Sequence, residues 1–314
     1  MTSYNKNDLA IIANQTGFLR DQLEKVIRLT DILRFFHDDT FLRQSLALKG
    51  GTAINMTCFS MPRLSVDIDL DYCRDVDRET MLKEREQITV RIHNYMQSNG
   101  YSLNLHTKHP HSLDSWVFDY INAAGNHDII KVEINYSMRC HVLPIIEKEV
   151  NLEFADPFFV MSLAPIELFG SKIKALIERS ACRDFYDVHN MLDAGLFTSE
   201  DELTLLRHIV TFYRCVGGNS VPVKSIDVTK IEAIRFPQIR AQLIPVLKKT
   251  ERFDFEQTKQ QVVRYLTETL CPTEDDNLFV EAFNRGEYKP ELLFKDSAIL
   301  QRIGQHPMAL WKTM

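Results

Sequence analysis

From Leu64 to Asp71 the chain alternates without interruption. Leu64, Val66, Ile68 and Leu70 are apolar, while Ser65, Asp67, Asp69 and Asp71 are polar. A side-chain period of two belongs to a strand, so this stretch predicts a half-buried strand with three carboxylates on one face. The same pattern returns near residue 130, where Ile130, Val132 and Ile134 alternate with Lys131, Glu133 and Asn135. A strand is predicted there over 128–136, and two more over 101–107 and 115–121. Ala123, Ala124, Gly125 and Asn126 read as the hairpin loop between the 115–121 and 128–136 strands. Helical spacing governs the flanks. Residues 7–37 place Leu19, Leu23, Val26, Ile27, Leu29, Ile32, Leu33 and Phe36 on one side of a long helix, with Gly17 as its candidate break. Residues 74–98 predict an amphipathic helix that ends at Asn99 and Gly100. Ala155, Asp156 and Pro157 read as a turn, and beyond them strand patterns largely stop. Residues 167–194 are strongly helical, and 199–314 continue in helical patterns from a capped start at 198–202. The fold class expected is α/β: a mixed sheet flanked by helices over 1–155, then a helical domain over 156–314.

Composition adds limits rather than a function. A length of 314 residues suits two domains, and 45% hydrophobic with 25% charged residues is ordinary for a soluble globular chain. The formal net charge of −6 argues against a generally basic nucleic-acid coat. Arg240, Lys248, Lys249, Arg252, Lys259 and Arg264 make a weak basic region, either an RNA-facing groove or an ordinary wet surface. No apolar run approaches the ~20 residues that span a bilayer, and the first residues lack a signal pattern, so a cytoplasmic protein without membrane contact is expected. Six cysteines without a C-x-x-C pair read as reduced thiols. His106, His109 and His111 suggest a metal site, but Pro110 and the lack of a fourth ligand at suitable spacing favour a loop.

The chemistry concentrates at the first alternating stretch and the residues before it. Carboxylates two apart on a strand lie roughly 6.6 Å apart, close enough to share divalent metal. Two oxygen-liganded metals about 3.5–4 Å apart are what an in-line phosphoryl or nucleotidyl displacement needs. Upstream, residues 46–49 read as a short strand, Gly50-Gly51 as a tight turn and Thr52 as the N-cap of a helix. Backbone amides freed there make a phosphate cradle. An aspartate pair on a strand is commonly just solvated, and a Gly-Gly turn alone says less. Both together, in this order and about a dozen residues apart, are the sharper signal.

The run Lys49-Gly50-Gly51-Thr52 followed by Pro62-Arg63-Leu64-Ser65-Val66-Asp67-Ile68-Asp69 resembles the first motif of polymerase-β-type nucleotidyltransferases, most closely the AbiEii/AbiGii abortive-infection toxin family. A second anchor is a helix with an early lysine, Lys172, followed by the Arg183-Asp184-Phe185-Tyr186-Asp187 run. Read as one helix, Lys172, Arg179 and Arg183 form a basic stripe. The resemblance covers about the first 195 residues. It implies a polymerase-β-like nucleotidyltransferase domain that moves a nucleoside monophosphate from an NTP to an acceptor, tRNA in several members, in a toxin–antitoxin system of phage defence with a cognate antitoxin. Asp67 and Asp69, with Glu133 as third carboxylate, would then bind two Mg²⁺ or Mn²⁺ ions. Gly50, Gly51 and Thr52, with Ser65, would hold the triphosphate. Lys172, helped by Arg179 or Arg183, would neutralise charge on the leaving pyrophosphate. Asp184 and Asp187 would either support the basic stripe or belong to the site, and Asp71 has no assigned role. Three other classes stay open: a small-molecule nucleotidyltransferase of the antibiotic type, an Asp-x-Asp glycosyltransferase, and a non-catalytic interaction protein.

Overall fold

The computed structural model describes residues 5–108, 112–218, 225–252 and 254–314, which divide into two compact units. His109 and His111 of the histidine cluster lie outside the described residues. The first unit comprises Met1–Arg139, Ile145–Ser162 and Val246–Thr250. It begins with α1 (Lys6–Thr16) and α2 (Arg20–Asp38), which are separate helices because Gly17 takes φ +78° and closes α1 in the left-handed conformation. Leu23, Val26, Leu29, Ile32, Leu33 and Phe36 of α2 are all buried, as their helical spacing requires. The Asp39 carboxylate caps α3 (Thr40–Ser45) by accepting the amides of Phe41 and Leu42.

The chain then runs through β1 (Leu46–Lys49), α4 (Gly50–Ala53), which continues into a π-helical turn at Ile54–Cys58, and β2 (Asp67–Tyr72). Next come α5 (Arg78–Ser98), β3 (Ser102–Leu103), β4 (Leu113–Ile121), β5 (His127–Asn135), β6 (Ile146–Leu152) and β7 (Ala155–Ser162). These strands form one mixed sheet in the order β3-β4-β5-β2-β1-β7-β6. β2 lies antiparallel to β1 and parallel to β5. The alternation sorts its side chains as expected: Ile68 and Leu70 of β2, and Ile130, Val132 and Ile134 of β5, are buried. On α5, Ile88, Ile92 and Met96 are buried, and His93 meets the rings of Trp116 and Phe118 on β4.

Two features differ from the sequence expectation. The β6–β7 hairpin carries the sheet to Ser162, past the turn expected at 155–157. Pro157 is tolerated because β7 meets β1 only near its end, with Ser162 opposite Leu48, and because the β6 register shifts between Val150 and Leu152. The strand expected over 101–107 is reduced to Ser102–Leu103, both exposed.

The second unit comprises Cys140–Pro144, Leu163–Pro245 and Glu251–Met314. Its first helices are α6 (Pro165–Arg179), α7 (Cys182–Asp193) and α8 (Glu200–Gly217), followed by shorter ones. Ser199 and Glu202 form a reciprocal capping box at the start of α8. The helix expected over 167–194 is two helices, since Ser180 takes φ +49° and turns the chain between α6 and α7. Glu167 is fully buried and accepts the backbone amides of Val142 and Leu143 at 2.7 and 2.8 Å, with the Tyr213 hydroxyl also donating to it. That carboxylate fastens residues 140–144 to α6.

α6 and α8 meet closely at Gly170, where an added Cβ would lie 2.3 Å from Cγ2 of Ile209. Gly170→Ala therefore sets a helix-propensity gain of about 1 kcal/mol against overpacking of about 1–3 kcal/mol. The branched Ile209 has little room to give, so the variant is expected to unfold at lower urea. An unchanged or raised midpoint would mean that the two helices separate freely.

Candidate active site

The site in the first unit is built where β1 hands over to β2. Gly50 takes φ +69°, a conformation that side-chain-bearing residues rarely adopt. A Cβ on Gly50 would stand 2.5 Å from Oδ2 of Asp69, and one on Gly51 would stand 2.6 Å from Nη2 of Arg63 and 3.1 Å from Oγ of Ser65. Gly50 is thus required by close approach, its backbone lying directly against Asp69 of β2, while Gly51 faces the buried Arg63 side chain and Ser65. Asn55 donates from Nδ2 to the Gly51 carbonyl at 2.8 Å and secures the turn from the helical side.

Thr52 departs from its expected part. The helix begins at Gly50, with Lys49 rather than Thr52 in the N-cap position. Thr52 is fully buried, and its hydroxyl donates to the Asp67 carbonyl. The side chain ties the turn to β2 rather than offering its hydroxyl to a ligand.

The register places the acids. Asp69 of β2 lies beside Glu133 on its parallel neighbour and opposite Lys49 on its antiparallel one, while Asp67 pairs with Lys131 and Asp71 with Asn135. Paired residues on adjacent strands project from the same face about 4.8 Å apart, so Asp67, Asp69 and Glu133 share one face. Their oxygens suit a hard divalent cation, and the Gly50 backbone packs directly against Asp69. Yet no group of three histidine, cysteine or acidic side chains gathers as a metal-binding set among the described residues. The Glu133 carboxylate is engaged by the Lys131 ammonium at 2.8 Å. Partial burial pulls Lys131 down, but Glu133 first, then Asp67 and Asp69, hold it charged above its usual range.

Asp71 has a different setting from its two neighbours. It is buried and forms an ion pair with Lys49. Arg63, 2% exposed, sits against Gly51 and donates from Nη1 to the Leu64 carbonyl at 3.0 Å. Sequence reasoning gave no part to Arg63 or Lys131. The one available signal was a basic residue inside or beside each alternating run.

In the second unit, Lys172, Arg179, Asp184 and Asp187 come together. Nζ of Lys172 meets Oδ1 of Asp184 at 2.8 Å and Oδ2 of Asp187 at 3.1 Å. Arg179 donates from Nε to Oδ2 of Asp184 at 2.6 Å and from Nη2 to Oδ1 at 3.1 Å. Arg183 does not continue that stripe. The break at Ser180 puts it on α7, where Nε donates to the Gln242 carbonyl. Tyr186 donates its hydroxyl to Glu251. Burial raises the Asp184 carboxyl, but Lys172 and Arg179 outweigh it and hold it below the ordinary range. Its stabilising contribution is therefore complete above the unfolded value of about 3.9, and is lost as pH falls through the lowered folded value.

Two outcomes follow from that cluster. Lys172→Met leaves two buried aspartates short of a cation and is expected to cost about 3 kcal/mol in urea denaturation. Asp184→Asn is expected to flatten the fall in stability below about pH 4. A wild-type acid limb in that variant would assign the fall to other carboxylates.

The fold agrees with the comparisons. The family model for "Nucleotidyl transferase AbiEii toxin, Type IV TA system" matches residues 33–277. Among solved structures, MenT4, a nucleotidyltransferase toxin from Mycobacterium tuberculosis, superposes with a TM-score of 0.62 at 15% identity, covering 88% of this chain and 94% of that one. At that identity the likeness speaks for the fold. No curated protein matches the chain. No helix among the described residues is long and apolar enough to cross a membrane. With the family model spanning most of the sequence, including the glycine turn, the carboxylate strands and the Lys172 cluster, the chain belongs to the AbiEii family of nucleotidyltransferase toxins of type IV toxin–antitoxin systems.

Proposed function

We propose that this toxin transfers a nucleoside monophosphate from an NTP to a hydroxyl of RNA, with tRNA as the acceptor, and releases pyrophosphate. The observation that carries the reading is the register of Asp69 beside Glu133, with the Gly50 backbone packed against Asp69. Asp67, Asp69 and Glu133 would hold divalent cations, Mg²⁺ or Mn²⁺. Those ions supply charge neutralisation across the triphosphate and a lowered pKa at the acceptor hydroxyl.

The remaining parts are played by the chain's own groups. The Gly50–Gly51 turn presents backbone rather than side chains to the triphosphate, since any Cβ there would collide with Asp69 or Arg63. Thr52 ties that turn to β2, and Asn55 secures it from the helical side. Lys172 is assigned to the charge that builds on the departing pyrophosphate, a contribution that matters most in the transition state. Asp184 and Asp187 fix where its ammonium stands and act as positioning residues. Arg179, whose side chain is 65% exposed, adds a second positive charge beside Asp184. The setting is proposed to be the cytoplasm, with a cognate antitoxin as the family implies.

The test is incubation with each α-labelled NTP, Mg²⁺ and total RNA, followed by gel separation and pyrophosphate measurement. Label on an RNA species with matching pyrophosphate release is expected. Transfer should fall by ~10³-fold or more in Asp69→Asn, because a metal ligand is removed. Asp71→Asn is expected to keep activity within about tenfold, and to lose about 1–3 kcal/mol of stability as the buried pair with Lys49 is broken. Equal activity losses in the two variants would contradict this division of the strand. Label confined to a small-molecule acceptor would overturn RNA as the substrate.

A further inference from the structure

Lys131 is a cation on the carboxylate face that the proposed reaction does not use. It stands in register with Asp67, two residues before Glu133 on the same face of β5, and its ammonium lies 2.8 Å from Oε2 of Glu133. The side chains are 38% and 25% exposed, so the pair is neither sealed in the core nor free in solvent. Asp67, Asp69 and Glu133 share this face with Asp71, and like charges so placed repel one another. An ammonium among them relieves that repulsion. It also occupies the carboxylate that a divalent cation would need. Asp67, Asp69 and Glu133 are neighbours by register, yet they do not gather as a three-ligand set among the described residues. The Lys131–Glu133 pair commits Glu133 along its own strand.

We propose that Lys131 is the resident counter-ion of this face, and that a divalent cation must take Glu133 from it to complete the site. This rests on the reading of Asp67, Asp69 and Glu133 as cation ligands. Lys131 is then a positioning residue that sets the cation concentration at which the carboxylate set assembles. The lysine is displaced, not consumed: its ion pair with Glu133 gives way to coordination of the carboxylate by the cation, and no covalent bond is made or broken. One partly exposed ion pair is modest, so the effect on cation affinity is on the order of tenfold. A purely structural lysine would lower stability without raising affinity for anything.

The experiment measures Mn²⁺ binding to chelator-stripped full-length protein without nucleotide, by electron paramagnetic resonance of the free ion, alongside thermal unfolding in chelator. Lys131→Met is expected to bind Mn²⁺ about tenfold more tightly and, without divalent ion, to melt at lower temperature. Lys131→Arg, which keeps the charge, is expected to restore both values towards wild type. In a Glu133→Gln background the gain from Lys131→Met should largely vanish, since the contested ligand is gone. Lys131→Gln guards against a packing effect particular to Met and should follow it. Unchanged or weaker Mn²⁺ binding in both neutral variants overturns the counter-ion role. Asp69→Asn separates the two levels of inference. If it leaves Mn²⁺ binding unchanged, the cation site itself is wrong and the counter-ion role falls with it. If it weakens binding while the Lys131 variants show no gain, the site stands and only the counter-ion role fails.

Discussion

The constraint on which the first unit depends is the absence of a side chain at Gly50. Strands β1 and β2 pair antiparallel, with Lys49 opposite Asp69, so whatever follows Lys49 is brought onto the carboxylate strand. At Gly50 the backbone has a positive φ and comes so close to Asp69 that a methyl group would overlap its carboxylate. One residue later the same crowding recurs against Arg63 and Ser65. The consequence is a turn whose backbone, rather than its side chains, borders the acids. Thr52 and Asn55 then hold that geometry with bonds to the Asp67 carbonyl and the Gly51 carbonyl. Sequence, turn and site form a single chain of causes here.

The charges form two interleaved sets rather than one run of acids and one of bases. In the first unit Lys131 meets Glu133 and Lys49 meets Asp71. In the second, Lys172 and Arg179 meet Asp184 and Asp187. Buried charges persist only when paired, and pairing determines which of them are available for other work. The Asp71 and Asp187 carboxylates are almost fully enclosed, whereas the Glu133 carboxylate keeps access to solvent. That difference separates carboxylates fixed within the fold from one that an incoming ion can claim.

What could be read from the sequence follows burial. Leu64 to Asp71 and Ile130 to Asn135 were legible because each strand has one face in the core, and a two-residue period leaves no choice of face. The capping box at Ser199 and the helix break at Gly17 were legible because their residue types carry the local geometry. The β6–β7 hairpin was not. Of β6 only Val150 is buried, and β7 contains a proline, so pairing rather than core formation holds them in place. Ser180 breaks the helix in a conformation that a serine does not advertise, which is why Arg183 seemed to continue the Lys172 stripe. Arg63, Lys131 and the true work of Thr52 depend on partners fixed by tertiary contact, which a one-dimensional pattern does not contain.

The measurement that bears most directly on this account is nucleotidyl transfer by Gly50→Ala, compared with its folding by circular dichroism and urea denaturation. The added methyl should cost about 1–2 kcal/mol for the left-handed backbone and still permit folding. It should also push the turn and Asp69 apart, so the account predicts a folded protein whose transfer falls by about 10²-fold or more. A folded Gly50→Ala protein with wild-type transfer would contradict it, because the close approach of turn and carboxylate would then be incidental to the chemistry.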